Sequence, residues 1–430
     1  MPNFKIPFHK TNLTLEIPDS ISVNVLKSRL DDYQPAASET RLIDQALDQP
    51  VDSLSLESLS QNKYNIVIIT SDHTRPLPSH LTLPRLLERI RRGNPAAQIK
   101  ILVATGSHRP PSRNELVSMM GESVVQTETL LMHDCHDPEN LSYLGTLPSG
   151  GELWVNKEAS EADLLIAEGF IEPHFFAGFS GGRKSVLPGI AGYQTVLANH
   201  CSTFIAHPNA KSGILDGNPL HKDMLYAARQ LNLQFILNLI LNQDKKIISA
   251  VSGDSEKAHS KGCRFLNRYC RVPAAPADIV ISSNNGYPLD QNIYQSVKAM
   301  NTAAATAKPG AVLIVAASCA DGHGGEGFYR SMAEADSPEQ VLKAVLRTPQ
   351  NETVPDQWQF QILARVLKEH RVILVTDQCD PQVILDMHID HAFSMSEALR
   401  KAQRIKGADA DITVIPDGVG VIVEQNPDGR

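Results

Sequence analysis

A chain of 430 residues, 42% hydrophobic and 20% charged, carries ample apolar material for two or three packed units. Its net charge of −8 offers no basic footprint, so nucleic acid is excluded as an expected partner. No run approaches the roughly 20 apolar residues that cross a bilayer, and MPNFKIPFHKTNLTLEIP lacks the charged and apolar regions of a secretion signal, so the cytoplasm is the expected compartment.

In chain order, FKIPF and LTLEI read as a short hairpin laid on the first domain. Short apolar runs follow: NIVIIT (65–70), IKILVATG (99–106), ADLLIAEG (162–169), FILNLIL (235–241), ADIVISS (277–283), AVLIVAA (311–317), RVILVTD (371–377) and DITVIP (411–416). Most are β-branched and end at Gly, Ser, Asp or Pro, as buried parallel strands do. Helical patterns such as PRLLERIRR (84–92) and SPEQVLKAVL (337–346) lie between them, the latter with a capping box predicted from Ser337 and Gln340. The alternation predicts an α/β fold with mainly parallel sheets. The Pro- and Ala-rich break RVPAAPAD (271–278) divides it into a domain over 1–272 and a second over 273–405. Residues 406–430 are expected to rejoin the first domain.

The six cysteines, at 135, 201, 263, 270, 319 and 379, form no CxxC. They read as small buried hydrophobes in a reducing compartment, not as a zinc ribbon or iron–sulfur site.

Three loop motifs sit just past expected strand ends, where open α/β sheets bind ligands. Ser71-Asp72-His73-Thr74-Arg75-Pro76 packs a carboxylate, an imidazole, a hydroxyl and a guanidinium together. Capping by Asp72 or Thr74 and anion binding are compatible there, since a helix N-terminus attracts anions. Thr105-Gly106-Ser107-His108-Arg109-Pro110 has the same shape, and the two loops suggest two walls of one pocket. The third, Glu172 through Gly189 (EPHFFAGFSGGRKSVLPG), nearly matches the P-loop G-x-x-x-x-G-K-[ST], but Arg183 stands where the second Gly belongs. ATP hydrolysis is therefore not expected. Lys184, beside Arg183 and near His174, reads as a nucleophile or covalent tether with a lowered pKa, against the alternative of a solvated lysine.

His200 follows 16 residues after Lys184 and belongs to no HxxH or HExxH array. Spacing leaves it open between a lone metal ligand and a buried or capping histidine. In NNGYPLDQNIYQSVK (284–298), Tyr294 and Lys298 share a helix face with Gln295 adjacent. That face offers donors to a carboxylate, or is an amphipathic surface with a snorkelling Lys.

Taken together, SDHTRP, TGSHRP, EPHFFAGFSGGRKSVLPGIAG, the Asn199-His200 pair, NGYPLDQNIYQSVK and DGHGGEGF resemble the nickel-pincer-nucleotide lactate racemase family over essentially the whole chain. The resemblance implies two α/β domains with the active site in the cleft between them, the first holding cofactor. It implies nickel and a pyridinium-3,5-bisthiocarboxylic acid mononucleotide covalently linked to Lys184, with His200 completing a four-ligand nickel site. It assigns Asp72, His73, Thr74 and Arg75 to the cofactor, His108 and His174 to acid/base catalysis, and Arg75, Tyr294, Gln295, Lys298 and Trp358 to the substrate. It also implies dependence on cofactor-synthesis and nickel-insertion proteins.

The implied reaction suits a 2-hydroxy acid. Removing hydride avoids a carbanion beside a carboxylate, while an imidazole takes the hydroxyl proton. Racemisation needs a base for each enantiomer, hence two histidines, both expected to titrate near working pH. Lactate is the expected substrate; malate, aromatic or sugar 2-hydroxy acids are alternatives within the family. A non-catalytic nickel or nucleotide carrier would explain Lys184 and His200 but not the histidine pair. An NAD-dependent dehydrogenase is disfavoured because no G-x-G-x-x-G follows an early strand.

Overall fold

The computed structural model describes residues 3–30 and 32–424. Two six-stranded sheets organise it. The first runs Ile247–Gly253, Leu233–Leu241, Leu164–Phe170, Asn65–Ser71, Gln98–Ala104, Thr129–Met132, parallel except for its Ile247–Gly253 edge. The second runs Asp390–Ala392, Arg371–Val375, Ala307–Ala316, Ala277–Ser283, Ile412–Ile415, Val23–Val25, parallel throughout.

Local sequence explains the elements. Every residue of Leu164–Phe170 is buried, as expected of a strand covered on both faces. Helix Ser79–Gly93 buries Leu83, Leu86, Leu87 and Ile90, an i, i+3, i+4, i+7 stripe, in a cluster with Ile66, Ile68 and Ile101. Helix Met395–Lys406 repeats the pattern with Met395, Ala398, Leu399 and Ala402. Ser337 does cap helix Pro338–Val345, but the Gln340 side chain accepts from Asp336 N rather than closing the box on Ser337. All six cysteines are buried, and none is in a disulfide.

Two expectations about chain ends are corrected. The hairpin Asn3–Phe8 and Thr11–Glu16 packs on the second sheet, not the first: Ile6, Phe8, Leu15 and Ile17 share a cluster with Ile279, Ile281, Val312 and Ile314. The chain after 405 meets the first domain only at its end, where Ile422 clusters with Ile171, Phe179, Ile240 and Leu266. All of Ile412–Ile415 is buried, so it needs a partner on each edge, and it finds Ala277–Ser283 and Val23–Val25. The following Ile422–Glu424 pairs with Arg271–Pro273.

One apolar cluster runs through both sheets, including Val67 and Leu165 of the first and Val280 and Leu313 of the second. Near it, Gln350 Nε2 donates to Ala198 O (3.0 Å) and Gln361 Nε2 to Ser202 O (2.9 Å). These bonds bracket His200 in sequence and tie the two halves beside a cleft.

Candidate active site

Strands Leu164–Phe170, Asn65–Ser71 and Gln98–Ala104 are neighbours, and their carboxyl ends deliver the three loop motifs to one place. Facing them are the first turns of helices Ile293–Ala304 and Gln357–Glu369. The cleft between holds about 1310 Å³ of atom-free space, its mouth included. Asp72, Arg75, His108, His174, Lys184, His200, Tyr294, Gln295, Lys298 and Trp358 all line it.

Asp72 is buried, 2% exposed. Its Oδ1 accepts from the backbone N (3.0 Å) and hydroxyl (2.6 Å) of Thr74, and its Oδ2 lies 2.7 Å from His108 Nδ1. Burial alone would raise the carboxyl, but His108, Thr74 and Arg75 together hold it below its ordinary value. A carboxylate at Nδ1 assigns the His108 proton to that nitrogen and leaves Nε2 a free acceptor.

His174 is set the other way. The backbone N–H of Ala177 donates to its Nδ1 (3.2 Å), so the neutral ring carries its proton on Nε2. The expectation that both histidines titrate near working pH fails here. Burial first, then the charges of Lys184, Lys298 and Arg75 and the His200 ring, push His174 well below the usual histidine range.

Lys184 sits in a turn that only glycine allows. Gly181 and Gly182 have φ of +74° and +53°, and a Cβ would meet Asn238 Oδ1 at 2.8 Å and the His259 ring at 2.8 Å respectively. Burial, then the charges of Arg183, Arg75 and Lys298, drive the Lys184 amine well below its ordinary value, with Glu172 the opposing carboxylate. Lys184 therefore gives up its proton more readily than a solvated lysine does.

His200 donates from Nδ1 to Val196 O (2.9 Å), which leaves Nε2 unprotonated. Burial and then Lys184 lower its pKa to about 3. Its ring packs against Phe176 and Trp358, at centroid distances of 5.4 and 4.9 Å.

On the facing wall, Asn292 Oδ1 caps helix Ile293–Ala304 through Gln295 N (2.9 Å). Trp358 Nε1 donates to Tyr294 Oη (3.0 Å), and that hydroxyl also bonds Asp356; burial raises the phenol further. Lys298 is lowered to about 8 by burial and then by Arg75. Among the described residues Gln295 Oε1, which is buried, has no hydrogen-bond partner. An orphaned acceptor of this kind costs about 1–3 kcal/mol and is expected where a ligand completes the site.

Two expected residues stand off the wall. Thr74 acts on Asp72, and His73 turns towards Glu115, with Nε2 4.0 Å from Oε1. The sequence reading passed over Glu172, Phe175, Phe176, Ser180 and Gln359, which also line the cleft. Glu172 opens the long glycine-rich motif, but only the fold brings it near both lysines.

Among the described residues no group of three or more His, Cys, Asp or Glu could hold a metal ion. A metal at His200 would therefore draw most of its ligands from a bound organic group. A buried amine of lowered pKa at Lys184, an unprotonated Nε2 at His200 and the orphaned Gln295 Oε1 fit such a group.

Two family profiles match the chain: the lactate racemase N-terminal domain over residues 8–213 and the lactate racemase C-terminal domain over 272–423. A lactate racemase of Thermoanaerobacterium thermosaccharolyticum is 52% identical over 425 residues, covering 99% of this chain and all of that protein. One from Lactiplantibacillus plantarum is 51% identical over 419 residues, covering 97% and 99%. The structure of the T. thermosaccharolyticum lactate racemase apoprotein superposes with a TM-score of 0.95 at 52% identity, over 98% of this chain and 100% of that one. A Thermotoga maritima protein shares the fold at 17% identity, with a TM-score of 0.66 over 92% of this chain and 100% of that one.

Proposed function

The chain belongs to the lactate racemase family, and from that premise we propose that it interconverts D- and L-lactate with a nickel-pincer nucleotide held on Lys184. The observation that carries the reading is the pair of imidazoles in opposite tautomers in one cleft with a buried lysine.

Lys184 would form the covalent link through its unprotonated amine, and His200 would offer Nε2 to nickel while Val196 O fixes its ring. Asp72 and Arg75 line the cleft and would border the cofactor, and Thr74 holds the Asp72 carboxylate in place. Such a group, when bound, would supply the redox chemistry, a reversible acceptor for the Cα hydride.

The chain's own residues hold the acid and move the proton. Arg75 and Lys298 grip the lactate carboxylate, and two cations in one cleft also raise the capture rate of an anion. Gln295 Oε1 completes its hydrogen bonding on the bound molecule. Tyr294 and Trp358, locked by their mutual bond, close the wall around a small side chain and exclude water.

The two imidazoles rise from strands on either side of Asn65–Ser71, and strands two apart lie roughly 10 Å from each other. They therefore reach the substrate from different flanks. His108 Nε2 takes the hydroxyl proton of one enantiomer as hydride leaves, and Asp72 stabilises the imidazolium. His174 rests as an Nε2–H donor to the substrate oxygen. As hydride returns to the opposite face, His174 passes its Nε2 proton to the product oxygen and takes one from solvent at Nδ1, giving up the Ala177 bond, while the His108 imidazolium releases its proton. The other enantiomer runs the same transfers backwards. The His108 side chain, 44% exposed, exchanges protons with solvent between turnovers.

The test is intact-mass spectrometry and metal analysis of protein made with and without the cofactor-synthesis and nickel-insertion proteins, followed by chiral assay of Cα-deuterated lactate. An adduct on Lys184, bound nickel and deuterium retained in both enantiomers are expected. Racemisation by bare protein, or deuterium lost to solvent, overturns the reading. Turnover of malate or a larger 2-hydroxy acid in preference to lactate would move the substrate within the family.

A further inference from the structure

Arg183, which spoils the P-loop match, is 2% exposed. Its Nη2 donates to Ala177 O (2.7 Å), and its Nη1 to Phe179 O (2.8 Å) and Gly181 O (3.3 Å). Its Nε donates to His221 Nδ1 (3.0 Å), and Nη1 lies 3.1 Å from His259 Nε2. Three carbonyls of one loop thus converge on a single guanidinium. That loop begins at His174 and ends at Lys184.

Among the described residues Arg183 has no ion-pair partner, so a full charge is buried against carbonyl and imidazole dipoles alone. Holding such a charge without a counter-ion is costly, and an apolar side chain of similar volume would be cheaper. The cost has to be repaid in function. Only a planar fork with five N–H donors can satisfy carbonyls in several directions at once; an ammonium cannot reproduce it.

We propose that Arg183 is the positioning residue that builds this loop before any cofactor arrives, fixing the Lys184 amine and the His174 ring towards the cleft. The proposal rests on the reading of Lys184 as cofactor tether, and deepens it. The clamp acts on both residues at once. Ala177, whose carbonyl Arg183 holds, donates the N–H that sets the His174 tautomer. Gly181, also held, accepts from Lys184 N (3.2 Å). After burial, the same charge, one residue away, lowers the Lys184 amine, together with Arg75 and Lys298 and against Glu172, with the His174 and His200 rings in the same cleft.

The test uses the full-length apoprotein. Trace labelling of Lys184 with acetic anhydride is followed over a pH series by peptide mass spectrometry in the wild type, R183K and R183M. In R183M the Lys184 labelling midpoint should rise by about one pH unit, equivalent to about ten-fold less free amine at neutral pH; in R183K, which keeps the charge, it should rise less. Hydrogen exchange of the peptide 177–187 should be slow in the wild-type apoprotein and fast in both variants. Wild-type labelling in folded R183M overturns the proposal. Slow exchange in R183K overturns it too, because charge without the fork would then suffice. If neither variant folds, the wild-type exchange decides: a loop that exchanges freely without cofactor was not built by Arg183. Neither measurement involves cofactor, so a wild type that never acquires an adduct would sink the tether and leave the clamp standing.

Discussion

The carboxylate of Asp72 places one oxygen 2.7 Å from Nδ1 of His108 while Thr74 holds the other through two hydrogen bonds. The pair is an oriented base: the carboxylate selects the tautomer, and the Thr74 contacts stop it from turning. Asp72→Asn keeps the shape and can present its amide to Nδ1, favouring the wrong tautomer. Turnover should fall by about 10²–10⁴-fold while the Lys184 adduct forms as before, checked by chiral assay and intact mass.

Opposite resting tautomers make the two enantiomers unequal in a single half-reaction. With loaded enzyme in excess, His108→Ala should abolish rapid keto-acid formation from one enantiomer and spare the other, and His174→Ala should do the reverse. Rapid-quench analysis reads this directly. Equal losses from both enantiomers in each variant would remove the assignment of one imidazole to each.

Acid should weaken the apoprotein before its surface carboxylates are titrated. His200 and His221 are both lowered to about 3 by burial, then by Lys184 and Arg183 respectively. Between the ordinary histidine value near 6.5 and about 3, the unfolded chain binds protons that the folded one refuses. Stability therefore falls as pH drops through that window, and above it the contribution vanishes. Thermal melts across the window should show a declining Tm. His221→Gln, which keeps an acceptor for Arg183, should flatten the decline.

Lys298 is retained for its charge at the expense of stability. Its pKa, about 8 against an ordinary 10.5, records the cost of burying an ammonium beside Arg75. Below about 8 both states are protonated, so that cost is constant at neutral pH. Lys298→Met should raise the apoprotein Tm by about 2–4 °C, the shift expected of roughly 1 kcal/mol. It should also raise KM for lactate, as loss of a carboxylate ligand requires. Calorimetry and steady-state kinetics measure the two effects on one preparation.

Much of this was legible in the chain. The runs NIVIIT, IKILVATG and ADLLIAEG are mostly apolar with little alternation, as central parallel strands are, and their middle residues are buried. The motifs at their ends needed only the rule that strand carboxyl ends carry ligands. The edges were less legible. Ile412–Ile415 reads like any buried strand, and its choice of sheet depends on unpaired neighbours far away in sequence. The N-terminal hairpin is equally mute about which sheet its apolar face covers.

Residue types and their spacing settled which groups the chain can bring to chemistry: two His–Arg–Pro loops, a glycine-rich turn ahead of Lys184, a helix presenting Tyr294 and Lys298. Protonation and direction were decided only by the tertiary structure. A histidine's tautomer and a lysine's charge depend on what lies within a few ångströms, and those neighbours come from other loops: Asp72 for His108, Ala177 for His174, Arg75 and Lys298 for Lys184. Arg183 shows the difference most clearly. In the chain it is one of two adjacent basic residues after a Gly pair; in the fold it is a buried fork around which the loop is shaped.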